Sequence, residues 1–452
     1  MPYWRPDTVT TFKQRTPQRT LTTLLALART TKMNLVIRIC LVTFFWILSY
    51  NSSSAQDWTR FRGPNGSGIS TSPTIPTRWT DGDFNWQVGV PGSGHSSPVI
   101  WGDRLFLTSS NDDTGERTLR CIDTRDGKTL WTYDVLSADY TKHQLNSRAS
   151  ATPTVDAHHV YVCWSTNDSL VAQALTHDGH EVWTKQLGPY QALHGIAASP
   201  IVRDNLLFVA NDQDKQSSVM ALDAKTGTEK WAIGRNTTAN YSTPCFLESA
   251  EHDLAVIFTS RDQGLTSIDA ASGKVFWELP VFQSHVAVAS PIVTSDFVVG
   301  VSGGVGVPEE VVTVGFHQGD RIPQEVYRLE NSTPFVPTPL AYDGMLFTIS
   351  DEGIAVCADL SSGEVHWQER LKDKFYASPV CVDGKIYCAS TGNQVIVLKA
   401  TRNFNILARN QLPDGCHATP AISSGVMYLR TFSSLISIGN PSAPATQPDG
   451  AK

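Results

Sequence analysis

From about residue 95 to residue 440 the chain alternates short apolar runs with clusters of Gly, Asp, Asn, Ser and Thr, and no stretch there holds a helical period. The segment SPIVRDNLLFVAND shows the unit. Apolar runs at 199–202 and 206–210 flank Arg203-Asp204-Asn205, and two more, at 218–223 and 228–233, flank Ala224-Lys225-Thr226-Gly227. Runs of this length bounded by turn residues read as antiparallel strands, so the unit is a four-stranded sheet.

The unit recurs. A hydroxyl residue followed by proline precedes an apolar run at Pro98, Pro153, Pro200, Pro244, Pro291, Pro339, Pro379 and Pro420. Repeats of roughly 40–55 residues, each holding several short strands, predict a β-propeller. The fold class is therefore all-β: an eight-bladed β-propeller of four-stranded antiparallel blades. A second phrase punctuates each repeat: CIDTRDGKTLW from Cys121, ALDAKTGTEKW from Ala221, SIDAASGKVFW from Ser267 and CADLSSGEVHW from Cys357. Its Asp can bond turn amides, its Gly supplies a positive φ, and its Trp falls on the outermost strand. A flat indole there covers an edge and stacks on the next blade, so Trp86, Trp131, Trp183, Trp231, Trp277 and Trp367 are structural docking residues. The repeat after Pro291 has Tyr327 in the Trp slot, and the one after Pro379 has neither Gly nor Trp. The eighth repeat stops near residue 440 without an outer strand. FNWQVGVPG at 84–92 carries Trp86 in register to supply it, so N- and C-terminal segments would share one blade and close the ring.

Ahead of the repeats the chain reads as export machinery. Arg38 opens a short basic start, Ile39–Tyr50 is apolar, and Ser53 and Ala55 fit a cleavage site before Gln56. The apolar run is short for a bilayer, which takes about 20 residues; a retained anchor is the alternative. The chain thus divides into an upstream extension at 1–32, a signal peptide at 33–55, an N-terminal segment at 56–82, the propeller at 83–440 and a disordered tail at 441–452. The mature chain would carry no transmembrane span. A net charge of −7 gives no reason to expect a nucleic-acid partner. Seven cysteines follow the leader, at 121, 163, 245, 357, 381, 388 and 416, and their spacing fits no metal framework. Cys381 and Cys388 flank the Asp383-Gly384 turn as diagonal neighbours, and buried small apolar side chains are the expected role.

In a propeller, the connections from one blade's outer strand to the next blade's inner strand open on one face around the central channel. One residue before each proline lies a hydroxyl: Ser97, Thr152, Ser199, Thr243, Ser290, Thr338, Ser378 and Thr419. Two residues earlier, with the same strand parity, His95, Tyr241, Tyr376 and His417 contribute large polar rings. His143, Asn146, Arg148, His194 and His285 lie further back in these connections. Two readings stand side by side: the hydroxyls bond inner-strand backbone, or the face is a binding rim. The candidate ligand-binding residues are His95, Arg148, His194, Tyr241, His285, Tyr376 and His417. Imidazole and phenol rings there offer stacking area and hydrogen bonds, and Arg148 could clamp a carboxylate. Crowded imidazoles should make binding change between about pH 5 and 7. FRGPNGSG, with Arg60 and Arg62, reads as a loop leading into the closing strand.

The repeat ALDAKTGTEKW resembles the tryptophan-docking repeat of the pyrroloquinoline-quinone-type propeller superfamily. WTRFRGPNGSGIS, GHSSPVIWGDRLFLTS and YASPVCVDGKIYCAS are similar to a secreted propeller family abundant in planctomycetes. The superfamily holds quinoprotein alcohol dehydrogenases, the propeller lipoprotein of the outer-membrane β-barrel assembly machinery, and binding-only relatives. The enzymatic branch implies a calcium ion, an Asp base and usually a disulfide between adjacent cysteines. This chain has no adjacent Cys pair, no C-x-x-C-H and no long blade insertions. The resemblance therefore implies a non-catalytic extracytoplasmic binding or scaffolding propeller, periplasmic or secreted, with no catalytic residues, no cofactor and no metal. Its partner would be a cell-envelope protein or peptide, or a small ligand. A pyrroloquinoline-quinone-dependent oxidoreductase is the alternative.

Overall fold

The computed structural model describes residues 58–440, apart from 73–74, 137–142, 144–145, 167, 250–251, 284–285, 305–306 and 317–320. The extension, signal peptide and tail expected at the ends lie outside the described residues. What is described is eight sheets of four antiparallel strands, seven of them running in chain order from an inner to an outer strand; the seventh gains Ile69–Ser70 as a parallel inner edge, and the eighth takes its outer strand from Phe84–Gly89. The third blade holds Ile201–Arg203, Leu206–Asn211, Ser217–Asp223 and Glu229–Arg235. Ile201 faces Phe208, Phe208 faces Ala221, and Ala221 faces Trp231. Its inner turn is tight because Asp204 and Asn205 both adopt positive φ, which Asp and Asn tolerate.

Packing is between blades. Middle strands such as Leu206–Asn211 are buried almost throughout, whereas the outer Glu181–Gln186 alternates little and exposes all but Trp183. One core cluster joins Phe208, Val219 and Trp231 of the third blade to Phe246, Val256 and Phe258 of the fourth. The seven described cysteines are all buried free thiols, and Cys381 faces Ile386 across its hairpin. Phe84–Gly89 pairs antiparallel with Ser434–Gly439, so the last blade is built from both ends of the described chain.

The Asp–Gly–Trp phrase is a joint between blades. The Asp223 Oδ1 accepts the N–H groups of Lys225 and Thr226, and its carbonyl accepts that of Gly227. This turn receives the preceding blade's indole: Trp183 Nε1 donates to the Ala224 carbonyl at 2.9 Å, and a Cβ on Gly227 would sit 2.7 Å from the Trp183 ring. The same bond links Trp86 to Thr124, Trp131 to His177, Trp231 to Ala270 and Trp367 to Thr401. Glycine is thus required twice over, by its positive φ and by the ring lying on it. Trp277 packs on Phe316, whose turn continues into residues outside those described. The seventh blade, which lacks the phrase, is served differently. Trp79 stacks near Tyr387, its backbone N–H donates to Asn410 Oδ1, and it joins the core shared with Met427 and Leu435 of the eighth blade.

Candidate functional site

The eight hydroxyls form a closed circuit. The N–H of Ser97 donates to Thr152 Oγ1, that of Thr152 to Ser199 Oγ, and that of Ser199 to Thr243 Oγ1. The series continues through Ser290, Thr338, Ser378 and Thr419, and the N–H of Thr419 returns to Ser97 Oγ at 3.1 Å. Every blade gives one donor and one acceptor, so the inner-strand starts are tied into a belt around the channel. The hydroxyl column is therefore structural, and it fixes where the connections just before it must emerge. We call that face the upper face; the inner hairpin turns, such as Arg203–Asn205, lie on the lower one.

Residues 58–70 occupy the channel from below, a placement that the reading of FRGPNGSG as a connecting loop did not contain. Inner strands have a free edge, and the segment satisfies it. The Ile100 N–H donates to the Trp58 carbonyl and the Val155 N–H to the Thr59 carbonyl. Asn65 pairs with both backbone groups of Phe246, at 2.7 and 2.8 Å. Arg60 and Arg62 reach the level of the belt, bonding the carbonyls of Pro244, Thr338 and Pro379. The Gly68 carbonyl then takes the Cys381 N–H, and Ile69–Ser70 leaves parallel to Cys381–Val382 toward the lower face. Gly63 and Gly68 are required by close approach, since a Cβ on either would lie 2.4 Å from Trp58 or Arg62 atoms.

On the upper face, the expected rim residues fall into two groups of three successive connections each. In one, His417 packs edge-on to His95 at 4.6 Å and to Tyr376 at 4.8 Å between ring centroids. Phe432, in the upper hairpin turn of the last blade, closes this group at 4.8 Å from His417. In the other, His194 meets His143 at 4.5 Å and Tyr241 at 5.4 Å, and the amide of Asn146 donates to the His194 carbonyl. His285 lies outside the described residues. Arg148 departs from the expectation of a clamp for a carboxylate: it is buried, and its guanidinium bonds Asp112 of the first blade at 3.2 Å.

Burial governs the charge state of this face. It pushes the His417 imidazole down to about 4. His194 is lowered by burial first and by the nearby His143 second. The Tyr241 phenol is pushed up to about 12, again by burial. Burial thus favours the neutral forms of His417, His194 and Tyr241, and His417 titrates below the pH 5–7 window expected from exposed imidazoles. Asp351, which accepts the N–H groups of Phe335 and Val336, is pushed up to about 6 by burial, and the Tyr376 phenol is raised by burial first and by Asp351 second.

Sequence reasoning missed three apolar members of this face. Phe432, Leu193 and Leu136 are 46%, 65% and 84% exposed. Each is a large apolar residue at a turn or connection, a signal that was legible in hindsight. A cleft of roughly 370 Å³ opens beside Leu193, lined by Asp168, Tyr190, Gln191, Gly195 and Lys215 among others.

A calcium–quinone centre would need a set of oxygen ligands facing a cavity. Here the charged groups at the channel axis are the guanidiniums of Arg60 and Arg62, and no group of three His, Cys, Asp or Glu able to hold a metal occurs among the described residues. The donor chemistry does not fit that group. Nor is any helix among the described residues long and apolar enough to cross a membrane.

These features define a propeller of the pyrroloquinoline-quinone repeat type, docked by tryptophans and belted by hydroxyls. The family model described as outer membrane protein assembly factor BamB matches residues 142–326 and 324–431, well over half of the chain. The chain belongs to this family. It is 21% identical over 358 residues to the outer membrane protein assembly factor BamB of Yersinia pestis, covering 76% of this chain and 75% of that protein. Among solved structures, BamB from Moraxella catarrhalis superposes with a TM-score of 0.59 at 12% identity, over 78% of this chain and 96% of that one. The quinohemoprotein alcohol dehydrogenase from Comamonas testosteroni gives 0.62 at 11% identity, over 88% and 82%. At these identities the structural likenesses speak for the fold alone.

Proposed function

We propose that this protein is a non-catalytic binding or scaffolding propeller acting outside the cytoplasm, and that its upper face engages a cell-envelope protein or peptide. The observation that carries this reading is the exposure of Leu136, Leu193 and Phe432 on the face that also gathers the two imidazole–phenol groups. Exposed apolar residues beside aromatic rings that keep a polar edge are the composition of a protein-recognition surface. The names of the relatives, outer membrane protein assembly factors, point to a partner in envelope assembly.

Two substitutions on one rim group, His194→Ala with Tyr241→Ala, test the reading. Partners recovered from the cell envelope with the wild type should be lost from the variant, while its melting curve stays cooperative. Unchanged recovery would move the site off the rim. Titration of the purified protein with pyrroloquinoline quinone and calcium should give no saturable signal; saturable, calcium-dependent uptake would instead favour an oxidoreductase.

A further inference from the structure

The cleft beside Leu193 is assembled from two blades and the connection between them. The upper hairpin turn of the second blade supplies Asp168, that of the third supplies Gln213 and Lys215, and the connection supplies Tyr190, Gln191 and Ala192. Hydrogen bonds fix these pieces to one another. The buried Gln213 accepts the Gln191 N–H at its Oε1 and donates its Nε2 to the Pro189 and Gln216 carbonyls. The Asp214 N–H donates to the Gln191 carbonyl at 2.8 Å, and the Tyr190 phenol to the Gly195 carbonyl at 3.0 Å. On the side of the second blade, the Leu170 N–H donates to the Gly188 carbonyl, the Leu187 N–H to that of Leu170, and the Asp168 N–H to Thr166 Oγ1. The walls are therefore preformed, and their roughly 370 Å³ is in the range of small-ligand sites.

The backbone of this cleft is spent, and three of its side chains are not. Among the described residues, the Asp168 carboxylate, the Gln191 carboxamide and the Lys215 ammonium make no hydrogen bond or ion pair, although all three line one cavity. Asp168 and Lys215 stand on turns of different blades and do not pair with each other. Together they leave the cleft with no net charge. An anion gains Lys215 but faces Asp168, and a cation meets the reverse; a ligand carrying both charges gains both. We infer that this cleft binds a small zwitterion of the α-amino-acid type, with its ammonium group on Asp168 and its carboxylate on Lys215. The Gln191 amide donates and accepts, so it serves either end. Next to Ala192 in the wall, Leu193 is 65% exposed and offers an apolar seat for the ligand's side chain. A free amino acid and a short peptide share this chemistry. The site is one for a small molecule and does not rest on the reading of the rim as a protein-binding surface.

Calorimetric titration of the full chain at about pH 6.5, where α-amino groups are charged, tests the proposal with four probes. They are leucine, leucylleucine, leucinamide, which lacks the carboxylate, and N-acetylleucine, which lacks the ammonium group. At least one of the two zwitterions should bind saturably, about fivefold or more tighter than either single-charge probe. Which zwitterion is tighter tells a free amino acid from a short peptide. Asp168→Asn should weaken the preferred zwitterion and not weaken N-acetylleucine; Lys215→Gln should weaken the zwitterion and not weaken leucinamide. Both side chains are on the surface, so both variants should melt like the wild type. Single-charge probes that bind as tightly as the zwitterions would overturn the proposal, and so would the absence of a saturable signal from all four.

Discussion

Trp231 and Gly273 belong to different blades and form one joint: the indole donates to Ala270, and a Cβ on Gly273 would lie 2.8 Å from its ring. Trp231→Ala should cost about 3–5 kcal/mol, as for a buried aromatic lost from a core, whereas Lys225→Ala on the exposed turn should stay within about 0.5 kcal/mol. Gly273→Ala is penalised by its positive φ, about 1–2 kcal/mol, and further by the ring. In the Trp231→Ala background the second part should vanish, so a double-mutant cycle in denaturant measures the contact directly; strict additivity would mean the two do not touch. His417 gives a pH signature. Its folded value, about 4, lies below the ordinary 6.5, so the unfolded chain binds more protons between the two. Its contribution is whole above about pH 6.5 and is lost as pH falls toward 4. Asp351, pushed up to about 6, acts with the opposite sign across much of that window, so the informative quantity is the difference between wild type and His417→Asn. That difference should shrink between pH 7.5 and 4.5; an unchanged difference would show that His417 is not held neutral. Trp and Gly at these positions were legible in the sequence because each recurs once per repeat. The neutral state of His417 was not, since it depends on rings contributed by three separate connections.

At the scale of elements, strand and turn boundaries followed from apolar runs and turn residues, and the Cys381–Ile386 pairing followed from the Asp383-Gly384 hairpin. The path of residues 58–83 did not. It has no repeat partner and no period, and its contacts join residues hundreds of positions apart, as Asn65 joins Phe246 and Trp79 joins Asn410. Asn65→Ala should leave the N–H and C=O of Phe246 buried without partners, costing about 1–3 kcal/mol. A denaturant melt coincident with the wild type would show that the channel segment adds nothing to the ring. Removing Phe84–Gly89 should do more, because it exposes the Ser434–Gly439 edge and deletes the Trp86 joint to the first blade. Loss of a single cooperative transition is expected; a truncated chain that melts like the full one would contradict closure by that strand.

For the whole molecule, the ring, its belt and the channel segment make one unit whose two faces differ. The lower face carries the inner hairpins and the entry of residues 58–70, and the upper face carries the rim. Exposed apolar residues also occur on outer strands, as at Leu130 and Val365, both 48% exposed. Two surfaces therefore compete for the role of binding site, and the rim is the one proposed above. Site-specific photo-crosslinking in the intact cell envelope separates them most directly. A photoreactive residue is placed at Leu193 or Phe432 on the rim, and at Leu130 or Val365 on the outer strands. Both rim positions should trap the same envelope protein, and the outer-strand positions should not. A partner trapped from the outer strands and not from the rim would contradict the rim as binding site.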